Sequence, residues 1–218
     1  MIKVENIDAW GFEHAIRGAR NPMNSWDKSD SYRGFYISRL GKNDLDLMQR
    51  LYKAGTEHRK YLRQIFVSMD ITAPLYWWKE ADTYKVGTTS NSCSTMHKIT
   101  SKPIELSDFS YDNFEIEDEG INLKDCFINT VADCEMLRKK YIETKDKKYW
   151  RGLIQLLPSS YNQKRTITMN YENVVNIIKQ RTGHKLTEWE EFCNILWNLP
   201  YLKEICGKNE QKEIDIIK

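Results

Sequence analysis

The chain has 218 residues, with 33 lysines and arginines and 31 aspartates and glutamates, so its formal net charge is only +2. Charges of both signs are interspersed, which gives no basic stripe for nucleic acid. Hydrophobic residues make up 40% of the chain, an ordinary share for a globular protein. The composition excludes a disordered chain and predicts no nucleic-acid partner.

The N-terminal stretch MIKVENIDAWGF lacks the apolar run of a signal peptide, and no later stretch approaches about 18 consecutive apolar residues. The five cysteines contain no Cys-x-x-Cys pair, which predicts neither a zinc site nor a disulfide framework. We therefore expect a cytoplasmic protein with reduced thiols, no metal and no membrane partner. The cysteines are Cys93, Cys126, Cys134, Cys193 and Cys206.

Residues 41–72 predict a helix followed by a strand. In GKNDLDLMQRLYKAG, apolar residues recur at helical spacing, Asn43 is placed to cap the helix and Gly55 to end it. IFVSMDIT then alternates apolar and polar side chains, as a strand buried on one face does.

An aromatic block and a hydroxyl-rich segment follow. Thr72 and Pro74 have the arrangement of a cap and a first-turn proline, which predicts a helix to about residue 84 that ends at Gly87. The tryptophans at positions 77 and 78 are expected in the core, because large aromatic side chains dominate core burial. The short polar side chains of residues 88–95 favour a loop or a capped helix start.

The second half is mainly helical. INLKDCFINTVADCEMLRKKYIET has one apolar stripe and predicts a long amphipathic helix; YWRGLIQLLP predicts a helix that stops at Pro158, and TITM a short strand. Asn170 can cap the helix YENVVNIIKQR, which Gly183 ends. Thr187 and Glu190 have the spacing of a capping box for a last helix. The mixture, without regular βαβ alternation, predicts one α+β domain over residues 1–218.

Common catalytic signatures are absent from the sequence. It contains no Gly-x-Gly-x-x-Gly, no phosphate-binding loop, no His-Glu-x-x-His and no Gly-x-Ser-x-Gly. What remains is a set of polar residues on the predicted helix after Asn170, namely Asn170 itself, Asn176 and Arg181. A capping asparagine and a last-turn arginine are also ordinary helix features, so this set alone does not identify a site.

The segment LLPSSYNQKRTITMNYENVVNIIKQRTGHKLTEWEEF resembles the C-terminal half of the flavin-dependent thymidylate synthases. In that family a Leu-Pro bend precedes a short strand and a helix that begins with Asn, carries a second Asn and ends with a nucleotide-binding Arg. Asn170, Asn176 and Arg181 agree with this pattern. His184 stands one residue short of the usual place of a flavin-contacting histidine.

The resemblance extends upstream and spans roughly residues 43–197. AGTEHRKYLRQIFVSMDITAPLYWW resembles the family's Gly-His stretch, strand and Ala-Pro turn, with His58 at the place of a second flavin-contacting histidine. A solvated surface histidine is the alternative interpretation of His58. Cys93, near the hydroxyl-rich segment, has no neighbour in sequence that would activate a nucleophilic thiol.

The next segment falls on the family's signature, an Arg-His-Arg followed by Ser, Asn, Ser and Arg. Residues 84–86 occupy the Arg-His-Arg place if Asn91 and Ser94 align with the motif's Asn and second Ser. Residues 83–85 occupy it if the alignment runs without a gap from the Ala-Pro turn. In both alignments Lys85 is the one positive charge left at the triplet.

Three further positions depart from the family pattern. Met96 stands at the place of an arginine that binds the substrate phosphate, Thr89 replaces a serine, and Glu172 replaces a basic residue. Lysine offers one compact charge where arginine offers a planar fork, so the altered segment should bind phosphate less strongly. Nearby Lys79, His97 and Lys98 could supply part of the missing charge.

The resemblance implies a small, largely antiparallel sheet flanked by helices, and a homotetramer that binds FAD between subunits. It implies reductive methylation of dUMP to dTMP, with NADPH and methylenetetrahydrofolate as co-substrates. It implies Ser94 and Arg181 as catalytic residues, and Ser94, Thr95 and Arg181 as nucleotide-binding residues. The flavin-binding residues that it implies are His58, Lys85, Asn91, Asn170, Asn176 and His184.

Two alternatives keep the fold and change the function. The first is a binding or scaffold protein that acts through its oligomer and has lost catalysis. The second is an enzyme that modifies another pyrimidine nucleotide, to which an altered phosphate-binding segment would be suited.

Overall fold

A computed structural model of the chain describes residues 2–33, 38–115, 117–118 and 121–207. These residues form an α+β fold with one small antiparallel sheet, so the predicted fold class is confirmed. In chain order the elements are β1 (Lys3–Trp10), α1 (Phe12–Arg20), β2 (Tyr32–Arg33), β3 (Ser38–Arg39), α2 (Lys42–Lys53), β4 (Phe66–Pro74), α3 (Leu75–Ala81), β5 (Thr88–Ser92), α4 (Thr95–Lys98), β6 (Glu117–Asp118), β7 (Ile121–Asn122), α5 (Leu123–Thr144), α6 (Lys147–Leu156), β8 (Asn162–Asn170), α7 (Tyr171–Arg181), α8 (Thr187–Trp197) and α9 (Leu202–Ile205).

The sheet has the strand order β1-β4-β8-β5, and two short antiparallel hairpins pair β2 with β3 and β6 with β7. The predicted strand after α2 is confirmed as β4. Its residues Val67, Met69 and Ile71 are at most 1% exposed, because alternate side chains of a strand point to one face. The predicted short strand TITM lies inside the longer β8.

The chain divides into two compact units. The first unit consists of Met1–Lys3, Asp70–Thr83 and Ser90–Thr166, and the second of Val4–Met69, Tyr84–Thr89 and Ile167–Lys218. The single domain over residues 1–218 stays a prediction. Among the described residues, no helix has both the length and the apolar character needed to cross a membrane.

Helix α7 belongs to the second unit. It packs against α8 and against a short 3-10 helix at Lys60–Gln64. The buried face of α7 includes Val174, Val175 and Ile178, while Trp189 and Phe192 of α8 are at most 1% exposed. This packing fixes the direction of α7, and therefore the place of the side chains at its two ends.

The first unit has its own hydrophobic core. Helix α5 packs against α6, and the predicted apolar stripe is buried at Phe127, Val131 and Cys134. Trp77 and Trp78 of α3 are each 1% exposed, which confirms them as core residues.

Two predicted helix caps are wrong. Helix α2 begins at Lys42, one residue before Asn43, because the carboxylate of Asp30 accepts hydrogen bonds from the backbone N–H groups of Asn43 (2.9 Å) and Asp44 (3.1 Å). Helix α8 begins at Thr187 itself, and its cap residue Leu186 makes no side-chain capping bond. In contrast, the cap at Asn170 and the end of α7 before Gly183 are confirmed.

The segment after Pro74 also differs from the prediction. Pro74 is the last residue of β4 rather than the first of a helix, and α3 ends at Ala81. Gly87 lies in a separate turn with a positive φ of 71°. Residues 88–92, expected to be a loop or a helix start, form β5, and Ser94 then caps the short helix α4.

Candidate functional site

Helix α7 carries three of the predicted site residues. Asn170 is its cap, since its Oδ1 accepts a hydrogen bond from the Asn173 backbone N–H at 3.0 Å. Asn176 is half-buried in the middle of the helix, and Arg181 is the last helical residue. The side-chain amide of Asn176 makes no hydrogen bond with any residue that the structure describes, so its donors and acceptor are available to a ligand.

The guanidinium of Arg181 lies on two aromatic rings. Its central carbon is 4.5 Å from the ring centre of Trp189 and 5.4 Å from that of Tyr84, within cation–π distance. The Nε–H group donates to the Tyr84 hydroxyl at 2.8 Å. These three residues, called here the Arg181 platform, fix the orientation of a half-buried cation.

His184 contacts the same indole. Its ring centre is 6.3 Å from that of Trp189 at an interplanar angle of 69°. The Leu186 backbone N–H donates to His184 Nδ1 at 3.1 Å, so the proton of the neutral imidazole is on Nε2. The structure therefore brings Arg181 and His184 together around Trp189.

The turn that precedes β5 is bound to the start of α7. Asn173 Nδ2 donates to the Val86 carbonyl at 2.7 Å and to the Thr88 hydroxyl at 2.9 Å. Gly87 has a positive φ of 71°, which favours glycine, and a Cβ there would also lie 2.9 Å from Asn170 Nδ2. The predicted residue Lys85 is exposed in the same turn.

His58 is exposed in the turn after α2, and its backbone N–H donates to the Gly55 carbonyl at 3.0 Å. The next residue, Arg59, is buried and forms a two-pronged ion pair with Glu172, with N–O distances of 3.0 and 2.8 Å. The acidic residue at position 172, a departure from the family pattern, is therefore the charge partner of Arg59.

Cys193 is a buried residue of α8. Burial raises the pKa of its thiol to about 11, and the positive charge of Arg181 offsets only part of that rise. The thiol is therefore protonated at neutral pH, which excludes it as a nucleophile there.

In the first unit, Ser94 and Thr95 both use their hydroxyl oxygens as acceptors. Ser94 Oγ accepts from the His97 backbone N–H at 3.3 Å, and Thr95 Oγ1 accepts from Gln163 Nε2 at 3.1 Å. Each hydroxyl retains its own proton, which it can donate to a ligand oxygen. Both residues are half-buried, whereas Asn91 is exposed on β5.

Gln163 holds this segment through a relay of polar contacts. Its Nε2 also donates to the Cys93 carbonyl at 3.0 Å, and its Oε1 accepts from Arg165 Nε at 2.9 Å. Arg165 in turn donates to Asp82 at 2.7 Å and stacks 4.2 Å above the Trp78 ring. The buried ring of Trp78 therefore supports Arg165, and through it Gln163.

Several of these residues were missed by sequence reasoning. Tyr84 contacts Arg181 and Gln163 contacts Thr95 across long stretches of the chain, whereas Trp189 contacts Arg181 from the next helix, α8. Asn173 joins the start of α7 to the turn before β5. The sequence offered one signal, Tyr84 within the altered triplet, but it does not show that Tyr84 contacts Arg181. No group of three His, Cys, Asp or Glu side chains among the described residues could hold a metal ion.

The side chains fit part of the cofactor that the family resemblance implies. A half-buried amide at Asn176 and an Nε2–H at His184 are suited to the carbonyl and nitrogen edge of a flavin ring. At the altered triplet the exposed Lys85 supplies one compact charge for a pyrophosphate. These side chains therefore fit the flavin ring of FAD better than its phosphates.

No protein-family model matches the chain, and no curated protein matches its sequence. Solved structures do match. Thymidylate synthase X (ThyX) from Helicobacter pylori, crystallised with FAD and dUMP, has a TM-score of 0.69 and 15% identity over 94% of this chain and 97% of that chain. A second structure of the Helicobacter pylori flavin-dependent enzyme with FAD and dUMP has a TM-score of 0.67, 16% identity, and coverage of 94% and 96%.

A third similar structure is that of a nucleotide methylase. The UMP/dUMP methylase PolB from Streptomyces cacaoi, bound with 5-Br dUMP, has a TM-score of 0.62 and 14% identity over 90% of this chain and 88% of that chain. At these identities the likeness shows the fold. The chain has a ThyX-like fold over nearly its whole length, and the predicted remote similarity is confirmed at that level.

Proposed function

We propose that this protein is a flavin-dependent enzyme that binds FAD and a pyrimidine nucleotide and methylates dUMP reductively to dTMP. The observation that carries the proposal is helix α7. In a chain with the ThyX-like fold, its residues Asn170, Asn176 and Arg181 keep the family's identity and spacing, and His184 follows beside the Arg181 platform.

We assign Arg181 to the nucleotide. Its guanidinium is oriented by Trp189 and Tyr84 before a ligand arrives, so less side-chain entropy is lost on binding. A planar guanidinium is suited to a phosphate or to a carbonyl edge of uracil. In their own unit, Ser94 and Thr95 are proposed to donate their hydroxyl protons to the nucleotide.

The flavin is assigned to imidazoles, amides and one lysine. His184 Nε2–H and the amide of Asn176 would bind polar ring atoms, Lys85 would bind phosphate, and His58, Asn91 and Asn170 complete the proposed set. When bound, FAD supplies the redox chemistry, while these residues bind and orient it. NADPH and methylenetetrahydrofolate as co-substrates, a homotetramer and a cytoplasmic location belong to the same proposal.

A second candidate substrate is supported by two observations. Met96, at the place of the family's phosphate-binding arginine, is 49% exposed and offers no charge. The Streptomyces cacaoi protein with a similar fold is a UMP/dUMP methylase. We therefore propose as the alternative that the enzyme methylates another pyrimidine nucleotide, such as UMP.

The test is a FAD titration of the purified protein, followed by visible absorption and by native mass spectrometry. The proposal expects a shifted flavin spectrum and a complex with one FAD for each subunit. A flat spectrum and masses without flavin would refute both enzyme candidates and favour the scaffold alternative.

The substrate is then tested by titrating dUMP and UMP into the flavin complex. Tighter binding of dUMP supports the leading candidate, and tighter binding of UMP supports the alternative. Equal failure of both nucleotides contradicts the nucleotide assignment.

A further inference from the structure

A cavity of about 300 Å³ opens in the second unit beside α1. Its apolar walls include Phe12 and Ile16 of α1, Tyr201, Trp26 and Tyr32. This volume lies at the lower end of the range for small-molecule sites, which are mostly apolar with a few polar groups. We call this cavity the α1 pocket.

A buried ion pair holds the floor of the α1 pocket. Arg20 donates to Asp44 at 2.6 Å and to the backbone carbonyls of Ser25 (3.1 Å) and Lys28 (3.0 Å). Asp44 also accepts from Ser29 Oγ at 2.8 Å and Ser31 Oγ at 2.6 Å. The segment that carries Trp26 is thereby bound to α1 and α2, so the pocket exists before a ligand arrives.

The carboxylate in this floor is ionised at neutral pH. Burial alone would raise the pKa of Asp44, but hydrogen bonds from Ser31, Ser29 and Arg20, together with the charge of Arg20, bring it below its usual value. The charges of Arg20 and Asp44 therefore neutralise each other, and the charge of the pocket is set at its rim.

Two aromatic walls are unusually exposed. Trp26 is 51% exposed and Tyr32 is 71% exposed, and the Trp26 indole is held in place by its Nε1–H, which donates to Asn21 Oδ1 at 2.9 Å. Exposed aromatic side chains around a concave surface are typical of a binding site.

The rim of the α1 pocket has an excess of positive charge. Arg17 and Arg39 line it together with a single acidic residue, Glu13. Arg39 is exposed and makes no hydrogen bond or ion pair with any residue in the described ranges. Charge complementarity therefore favours an anionic ligand.

We propose that the α1 pocket binds a small planar aromatic monoanion, with its ring between the aromatic walls and its anionic group on Arg39. The site is separate from the residues assigned to flavin and nucleotide, and the proposal does not depend on the proposed function.

The test compares two probes of the same shape by isothermal titration calorimetry, 1-naphthoate and the neutral 1-naphthalenemethanol. The protein should bind both and bind the acid about tenfold more tightly, as expected for one charge-assisted contact at an exposed site. Equal affinities would overturn the anion assignment, and no binding of either probe would overturn the site.

Two variants place the binding in this pocket. Arg39→Gln should remove the preference for the acid and leave the alcohol unchanged, whereas the exposed Arg63→Gln on the same unit should change neither. Ile16→Trp, which places an indole ring in part of the cavity, should weaken both, with folding checked by circular dichroism. If Ile16→Trp does not fold, Arg39→Gln decides alone. An acid preference that survives Arg39→Gln overturns the proposal, whatever the result of the flavin titration.

Discussion

The two ends of α7 use charge in different ways. Near the start, Glu172 is buried and its carboxylate is fully engaged by Arg59, with side-chain exposures of 8% and 7%. At the end, Arg181 is half-buried and lies on the rings of Trp189 and Tyr84. The first arrangement binds the start of the helix to Arg59, whereas the second fixes the orientation of the Arg181 guanidinium.

This contrast suggests a division of work along one helix. A buried ion pair contributes to stability mainly because removal of one partner leaves the other charge uncompensated. A cation on aromatic faces is oriented by its surroundings. Glu172, which departs from the family pattern, therefore stabilises the fold. Arg181, which agrees with the pattern, is expected to bind a ligand.

The largest expected effect is at the start of α7. Glu172→Ala leaves Arg59 buried without its partner and should lower the free energy of unfolding by about 3–5 kcal/mol, measured by urea denaturation. The double variant Arg59→Met with Glu172→Met should recover most of the loss, since no charge then remains buried. If the double variant is as unstable as the single one, the loss of stability does not come from the unpaired charge of Arg59.

A smaller effect is expected at the turn packed on the start of α7. Gly87→Ala combines a positive φ of 71° with a Cβ that displaces the amide of Asn170, and it should cost about 1–2 kcal/mol of unfolding free energy. Gly183→Ala is a matched control beyond the other end, with a φ of 75° and no heavy atom within 4 Å of the added Cβ. It should cost less. Equal losses would show that the contact with Asn170 contributes nothing.

The smallest effect on stability is expected in the Arg181 platform. Tyr84→Phe removes the hydroxyl that accepts from Arg181 Nε and keeps the ring, so thermal unfolding should report a loss of only about 1 kcal/mol. Nucleotide affinity should fall as well, because the guanidinium loses one of its anchors. Tyr141→Phe on α5 is the control. A stability loss without any change in nucleotide affinity would make Tyr84 purely structural.

Local patterns in the sequence predicted α7 and β4 well. Asn170 caps α7 through its own side chain, and Gly183 follows its end, so both signals act over a few residues. The apolar alternation in β4 is equally local, because one face of that strand is buried.

Errors arose where a distant residue replaces a local signal. The N–H groups at the start of α2 bond to Asp30, which stands outside the helix, so Asn43 is not needed as a cap. The strand β5 consists of short polar residues that are common in loops, and it forms because it pairs within the sheet. The spacing of residues along the sequence cannot predict such long-range partners.

The same limit applies to the candidate site. The sequence placed Asn170, Asn176, Arg181 and His184 correctly relative to α7, because they follow one helix and the turn after it. The rings that orient Arg181 come from positions 84 and 189, and only the folded chain shows that they meet.

Under the proposed function, Arg181 binds a pyrimidine nucleotide beside a flavin. The most direct test of this assignment is the dUMP affinity of the flavin-loaded Arg181→Ala variant, compared with Gln180→Ala one residue earlier on α7. We predict that Arg181→Ala retains the flavin spectrum and binds dUMP at least about tenfold more weakly, while Gln180→Ala matches the unmodified protein. Unchanged dUMP affinity in Arg181→Ala would show that Arg181 does not bind the nucleotide.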